Sequence, residues 1–414
     1  MAGYLSLAAK MVLNVHDLNN EGSVGQSLDI RLIRMVDENG RELKEMPAVS
    51  GRMMKHWHLE HMLRDELSQT NPKLCRQCRV AEPERKPQDE SKGVKTCVIC
   101  DSHGFLCTDK PGFSATVEIS NNDIILKKEA KDNEPEERIT VEPCDHQSPD
   151  GNCPTCALRD ISGKKAKVTG ELTEEDGNKF IKVSYLQSGR GRNKVEKGTS
   201  PKGLSLRRSS CVNFSWLLPA LDKDNQDNII TPVSKQVIHS RVASGSEEET
   251  SQMIFHKTYA SGIYGFVCSI DLGRIGKPLV GEGVSDTNEI TRRKKLAVQA
   301  LLPICLGAFG ASQSHALPHA KCLGLLAALS TTEKPVPNLI SPIYPNGFQE
   351  SVALLEAMDD SVQYWTYGQA DSSKQDQAQT ENNDSDKEKR KSVATVQDVF
   401  KEILQAIDNE PKDK

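Results

Sequence analysis

HKTYASGIYGFVCSIDLGRIG, residues 256–276, is the stretch that decides the fold. With the preceding MIF it makes a run of β-branched and aromatic residues broken only by small ones, so 253–272 reads as two strands joined near 260–262 and closed by a glycine-bounded turn at 273–276. Because successive side chains of a strand point to opposite faces, Tyr264 and Phe266 share one face and Ile263 and Val267 the other. One pair is available to a sheet surface while the other fills a core.

Outward from this stretch, strand and helix signals mix. Residues 4–15, YLSLAAKMVLNV, read as an opening strand. Glu38-Asn39-Gly40 marks a hairpin turn between an Arg-bearing strand and a short return, and Ser50 suits the N-cap of a helix over about 51–68. A strand is expected at 113–127, two more within 161–208, a helix with a basic first turn at 291–309, a strand or helix at 321–329, and a last element at 347–360. Residues 370–391 hold almost no apolar side chains and are expected to be disordered. Beyond them Val393, Val396, Val399, Phe400, Ile403, Leu404 and Ile407 share a helix face, open equally to a partner or to the chain's own domain.

With 414 residues and 36% apolar content the chain can bury one large or two ordinary cores. No apolar run reaches the roughly 20 residues of a membrane span, and the N-terminus lacks a signal-peptide pattern, so a cytoplasmic protein is expected. A net charge of −5 does not advertise nucleic-acid binding in bulk, so any such site is a local basic patch. The best candidate is Arg190, Arg192, Lys194, Lys197, Lys202, Arg207 and Arg208, set among Gly, Ser and Thr, where cations can follow a phosphate backbone or simply sit on a solvated loop.

Twelve cysteines in a chain with no export signal point to metal rather than disulfides. Cys75-x2-Cys78 and Cys97-x2-Cys100 are two knuckles at a spacing that brings four thiolates onto one tetrahedral zinc ion, a closed shell that serves structure rather than catalysis. Cys144-x-His146 with Cys153-x2-Cys156 offers a second set of ligands. A rival arrangement is one zinc with mixed knuckles, drawing on His103 or Cys107. Cys211, Cys268, Cys305 and Cys322 stand apart and read as buried thiols. Between the first knuckles the chain has almost nothing apolar, so metal would replace a core there.

Ile263-Tyr264-Gly265-Phe266-Val267-Cys268 partly echoes the central RNP1 pattern of RNA recognition motifs, without its leading basic residue or final aromatic. Core packing is the favoured use of Tyr264 and Phe266, base stacking the other. Four blocks, LSLAAKMVLNVHDLNNEGSVGQ at 5–26, MPAVSGRMMKHWHLEHM at 46–62, 256–276 and LAVQALLPICLGAFGASQSHALP at 296–318, together resemble the DevR family of CRISPR-associated proteins, the "Cas-seven" backbone subunits of Cascade-type effectors. The resemblance implies an α+β fold with a ferredoxin-like, RNA-recognition-motif core carrying insertions. It implies binding to CRISPR RNA in repeated head-to-tail copies, contact with target DNA and association with other Cascade subunits. Carried over by position, the RNA contacts are Arg31, Arg34, Ser50, Arg52, Lys55, His56 and Gln313, with the basic 186–210 segment as a thumb. The double cysteine cluster and His315, where an arginine is expected, depart from the family's simplest pattern.

On these grounds the chain divides into a core of 1–70 and 161–360, a zinc-binding insertion at 71–160, a linker at 361–392 and an amphipathic helix at 393–408. With no nucleotide loop, Ser-His-Asp set or open metal site in the sequence, a non-catalytic RNA-binding subunit is expected. The alternatives are a guide-dependent RNA nuclease using Asp17, Asp29 or Asp37, and a zinc-ribbon DNA-binding regulator.

Overall fold

The computed structural model describes residues 3–18, 20–24, 27–81, 85, 90–109, 113–120, 123–128, 137–144, 152–175, 178–189, 195–198, 204–242, 252–310, 317–332, 334–358, 361–371 and 389–409. The chain forms two compact units, one from 1–105 with 207–414 and one from 106–206.

The first unit is built on β1 (Tyr4–His16), hairpin strands β2 (Leu32–Val36) and β3 (Glu42–Pro47), α1 (Gly51–Leu67), β4 (Val233–Val242), β5 (Gln252–Ile270), α2 (Thr287–Gln299), α3 (Leu301–Cys305), β6 (His319–Ser330), α4 (Gly347–Glu356), β7 (Val362–Gly368), β8 (Arg390–Ser392) and α5 (Val396–Asp408). Its main sheet runs β5-β1-β6-β7-β8, antiparallel except for the last pair. β1 is hydrogen-bonded on both edges and buries Leu5, Leu7, Met11 and Leu13, as its sequence pattern requires of a central strand.

The two strands expected at 253–272 are one 19-residue strand, β5. What 260–262 marks is a change of partner: β4 pairs up to Ser261, and β1 pairs from Ala260 onward across a bulge between Leu13 and His16. Gly262 is needed there because a Cβ would lie 2.8 Å from Pro232 Cβ. Tyr264 and Phe266 are both fully buried, so they pack the core. The helix expected over 291–309 starts earlier, capped by Asp286, and divides into α2 and α3. α5 docks on its own unit, burying Val396, Val399, Phe400, Ile403 and Ile407, with Lys295 paired to Asp408 at 2.8 Å. The disorder expected at 370–391 falls mostly outside the described residues, and 362–368, placed in the linker by sequence, is β7.

The second unit is a β-barrel. Five of its strands, Phe113–Ser120, Asp123–Lys128, Glu137–Val141, Lys165–Glu175 and Asn178–Ser188, pair in the spatial order first, second, third, fifth, fourth, with the fourth returning to the first, and a short sixth, Val195–Gly198, pairs antiparallel with the fifth. Every pair is antiparallel except third with fifth. A helix, Pro154–Arg159, joins the third strand to the fourth and packs Leu158 into the barrel core beside Val117, Leu126, Val168 and Ile181. This strand order, with its one parallel pair and its helix after the third strand, is the oligonucleotide/oligosaccharide-binding (OB) topology. The insertion expected at 71–160 is therefore redrawn: residues 71–105, with the first cysteine set, belong to the main unit, and 161–206, assigned by sequence to the core, completes the barrel.

Candidate nucleic-acid interface and metal centres

The β2/β3 hairpin pairs Leu32 with Pro47, which sets Arg31 beside the segment entering α1: Ala48 N–H donates to Arg31 O at 3.1 Å. Val49 and Leu217 exchange backbone hydrogen bonds at 3.1 and 3.0 Å, bringing 212–216 alongside. Ser50 caps α1, its Oγ accepting from Met53 N–H at 3.3 Å, and no acidic residue lies in the first turn. The positive end of the helix dipole is thus left for an anion, with Arg52, Lys55 and His56 around it. Gly51 allows the closest approach, since a Cβ would stand 2.6 Å from Phe214 O.

The result is a cleft of about 870 Å³. Arg31, Ser50, Gly51, Arg52, Lys55 and His56 line it together with Val212, Asn213, Phe214 and Trp216. Trp216 is 38% exposed, and the Arg31 guanidinium lies 5.7 Å from its ring centroid. Partial burial, and then the nearby Arg85, push the Lys55 ammonium pKa below its ordinary value, and a phosphate arriving there would favour the charged form by its opposite charge.

Five of the sequence-expected contacts, Arg31, Ser50, Arg52, Lys55 and His56, therefore meet in one place. Arg34 projects from β2 beside Glu42 at 3.3 Å and does not line the cleft. Arg190, Arg192, Lys194, Lys202, Gln313 and His146 lie outside the described residues. Arg207 is exposed, but Arg208 has no place on a basic thumb: its guanidinium is buried, on Asp101 at 2.7 Å and Glu90 at 3.1 Å. Asn213, Phe214 and Trp216 were not expected from sequence; only the exposed tryptophan carried a signal, and nothing linked it to Arg31.

The sulfurs of Cys75, Cys78, Cys97 and Cys100 lie within 4.8 Å of one another. Cys100 Sγ is 3.8 Å from both Cys75 Sγ and Cys78 Sγ, matching the edge of about 3.8 Å that a tetrahedron of 2.3 Å zinc–sulfur bonds has. Cys100 N–H donates to Cys97 Sγ at 3.4 Å, a backbone bond that stabilises a thiolate ligand. His103 and Cys107 are not part of this set. A second set, Cys144, Cys153 and Cys156, gathers three sulfurs at the link between the third barrel strand and its helix, with Cys153 as the helix N-cap.

The first centre adjoins both walls of the cleft. Its knuckle helix, Val98–His103, is buried throughout. His103 Nε2 meets His58 Nδ1 of α1 at 3.0 Å, and Cys211 N–H donates to Ser102 O at 2.8 Å just before the opposite wall. Gly104, at φ +68°, ends the helix so close to Arg208 that a Cβ would lie 2.2 Å from its carbonyl oxygen. Asp101, next to Cys100, accepts from Arg208 at 2.7 Å, Arg293 at 3.0 Å and Gly276 N–H at 2.9 Å. Burial pushes its carboxyl pKa up, against the pull of both guanidiniums. Asp17, Asp29 and Asp37 do not gather: Asp17 is buried on Lys257 at 3.1 Å, Asp29 accepts from Thr258 at 3.0 Å, and Asp37 binds backbone N–H groups of the β2/β3 turn.

These features define a class, an α+β protein with a cleft suited to a polyanion and a closed thiol centre suited to a soft metal ion. A family profile described as CRISPR-associated negative auto-regulator DevR/Csa2 matches residues 7–120 and 186–353. The chain belongs to the DevR/Csa2 family. It is 36% identical over 165 residues to a CRISPR-associated protein Cas7/Cst2/DevR of Thermoproteus tenax, an alignment covering 37% of this chain and 48% of that protein, so about half the length of that relative is matched. A Methanocaldococcus jannaschii protein of the same description is 24% identical over 367 residues, covering 85% and 88% of the two chains. A CRISPR-associated aCascade subunit Cas7/Csa2 2 of Saccharolobus solfataricus is 32% identical over 129 residues, covering 30% and 39%. A chain of a solved CRISPR RNA-guided surveillance complex matches over 97% of this chain and 99% of its own, with TM-score 0.41 and 8% identity. Among the described residues no helix is long and apolar enough to cross a membrane.

Proposed function

We propose that the protein is a non-catalytic, guide-RNA-binding subunit of a CRISPR surveillance complex, with α1's N-terminal cleft holding the phosphate backbone. The observation that carries this reading is the meeting of Arg31, from the hairpin, with Ser50, Arg52 and Lys55, from the start of α1, in one cleft at a helix N-terminus. A groove of this kind holds the guide by its backbone and leaves base pairing to read the target. The name of the Saccharolobus relative, an aCascade subunit, supports membership of a Cascade-type assembly. In that assembly copies of the chain associate head to tail along the CRISPR RNA, meet the other Cascade subunits and the target DNA strand, and work in the cytoplasm. The ferredoxin-like reading of the core rests on the four antiparallel strands β5-β1-β6-β7 with helical connections.

Zinc is the ion that four thiolates at this spacing suit, and it would lock the knuckles with no position open for chemistry. Cys144, Cys153 and Cys156 would hold a second zinc, with His146 as the expected fourth ligand. Binding of purified protein to fluorescent single-stranded RNA tests the RNA reading: Arg52→Ala and Lys55→Ala should each weaken it several-fold, and unchanged affinity in both would overturn it. Incubation with guide, complementary RNA and Mg²⁺ separates the nuclease alternative, which requires cuts at regular intervals.

A further inference from the structure

The barrel lies in the compact unit 106–206, yet the family match leaves a gap at 121–185, which takes in its second, third and fourth strands and most of its fifth. Whatever the barrel does is therefore separate from the features on which family membership rests. Its topology alone does not name a ligand, because one fold hosts many functions. Its surface chemistry goes further.

In an OB barrel the ligand lies across the face centred on the second and third strands. Here the strand register lines up Lys165 with Thr116, Thr116 with Lys127, and Lys127 with Arg138. Alternation points all four side chains outward, since their neighbours Ala115, Val117, Leu126, Ile139 and Ala166 are buried in the barrel. The result is a row of three cations and a hydroxyl perpendicular to the strands, crossing the fourth, first, second and third strands in turn at the level of one residue. With strands about 4.8 Å apart the row is roughly 14 Å long, the reach of two to three nucleotides. Lys127 and Arg138 stand directly opposite one another, close enough for one phosphate to meet both. Glu118 lies 2.7 Å from Lys127 Nζ, and an arriving phosphate would exchange for it. Lys167, one alternation on from Lys165 and opposite Ser114, extends the row along the fourth strand.

We infer that this barrel is a second nucleic-acid-binding module, which takes the backbone of a single strand across Lys165, Thr116, Lys127 and Arg138, independently of the cleft at α1. A single strand is favoured over a duplex because the row runs straight across one narrow face and presents no helix or ribbon for a groove.

The test uses the full-length protein and a fluorescent 20-nucleotide single strand. In a cleft-disabled background, Arg52→Glu with Lys55→Glu, residual binding should persist and should fall at least tenfold when Lys127→Glu, Arg138→Glu and Lys165→Glu are added. Photocrosslinks of the cleft-disabled protein should map to peptides within 113–142 and 164–168. If the cleft-disabled protein binds no strand while wild type does, the inference fails and the cleft reading stands. If wild type and cleft-disabled protein bind equally and only the barrel substitutions matter, the cleft reading fails and the barrel inference stands. A far-UV spectrum and Tm matching wild type confirm that the charge reversals left the barrel folded; should they unfold it, Lys127→Gln with Arg138→Gln replaces them with an expected loss of about threefold, and unchanged binding in that pair overturns the inference.

Discussion

Lys55→Ala gives the sharpest test of the cleft, because its effect on salt dependence follows from a count of cations. Arg31, Arg52 and Lys55 line the cleft. Each cation that neutralises a phosphate of a single strand contributes about −0.7 to the slope of log affinity against log salt concentration, so three contribute about −2.1. Between 50 and 200 mM KCl that slope lowers affinity roughly 18-fold, and loss of one cation reduces the drop to roughly 7-fold. Other basic groups on the chain add a constant to the wild-type and variant slopes alike, so the difference of about 0.7 isolates the cleft. Fluorescence anisotropy with a single-stranded RNA over a KCl series measures both slopes. Arg52→Ala should repeat the change, whereas Arg34→Ala, whose side chain lies outside the cleft beside Glu42, should leave the slope as it was. A slope unchanged in Lys55→Ala and Arg52→Ala would refute the placement of phosphate at the start of α1.

Asp101→Asn should lower stability by about 3–5 kcal/mol, read as a drop in Tm, because it leaves Arg208 and Arg293 buried without their shared carboxylate. Cys97→Ser should remove one zinc by metal analysis and weaken RNA binding several-fold, since the knuckle helix supports both cleft walls through His103 and Ser102; Cys153→Ser should remove the other zinc and leave cleft binding intact. Burial holds His16 and His58 neutral, pushing both pKa values down to about 4. The unfolded chain takes up protons near 6.5 and the folded chain does not, so stability is full above about pH 6.5 and falls as pH drops toward 4, by up to about 3 kcal/mol per histidine. Urea midpoints measured from pH 7.5 to 4.5 should show that decline, and His58→Phe should make it shallower by His58's share while leaving that of His16.

Local signals carried much of the fold. Ser50 before an apolar-faced run, Asn39-Gly40 between strands, and the alternating 4–15 segment each appear where their chemistry places them. The cleft was legible one wall at a time: Arg31, Ser50, Arg52, Lys55 and His56 were readable from the resemblance, while Trp216 joins them only through the Val49–Leu217 bridge, a pairing 168 positions long that no local pattern announces. Arg208 misled because a basic run in sequence does not say which arginine turns inward; two acidic residues more than a hundred positions away decide it. The barrel was missed for a similar reason. The two runs within 161–208 were visible, but 113–127 read as one strand where the barrel has two and 137–141 was not read as a strand; closure depends on the pairing of 165–168 with 113–116, and the cysteine pattern drew a boundary around ligand spacing rather than around a hydrogen-bonded circuit. The first cysteine set was assigned to an insertion on the same grounds, whereas its buried helix and Asp101 tie it to the main unit.

The placement of β1 at the centre of its sheet has a consequence for how the protein is made. The strand is complete by residue 16, yet one edge waits for 262–270 and the other for 319–330. At about 5–20 residues per second, a ribosome takes roughly 15–60 s to deliver the second partner. Through that interval Leu5, Leu7, Met11 and Leu13 lie on a nascent chain with both hydrogen-bonding edges open, a template for any other unpaired strand. Slower translation or overproduction should therefore raise the insoluble fraction in proportion to the delay, and co-expressed holdase chaperones that bind short apolar segments should recover it.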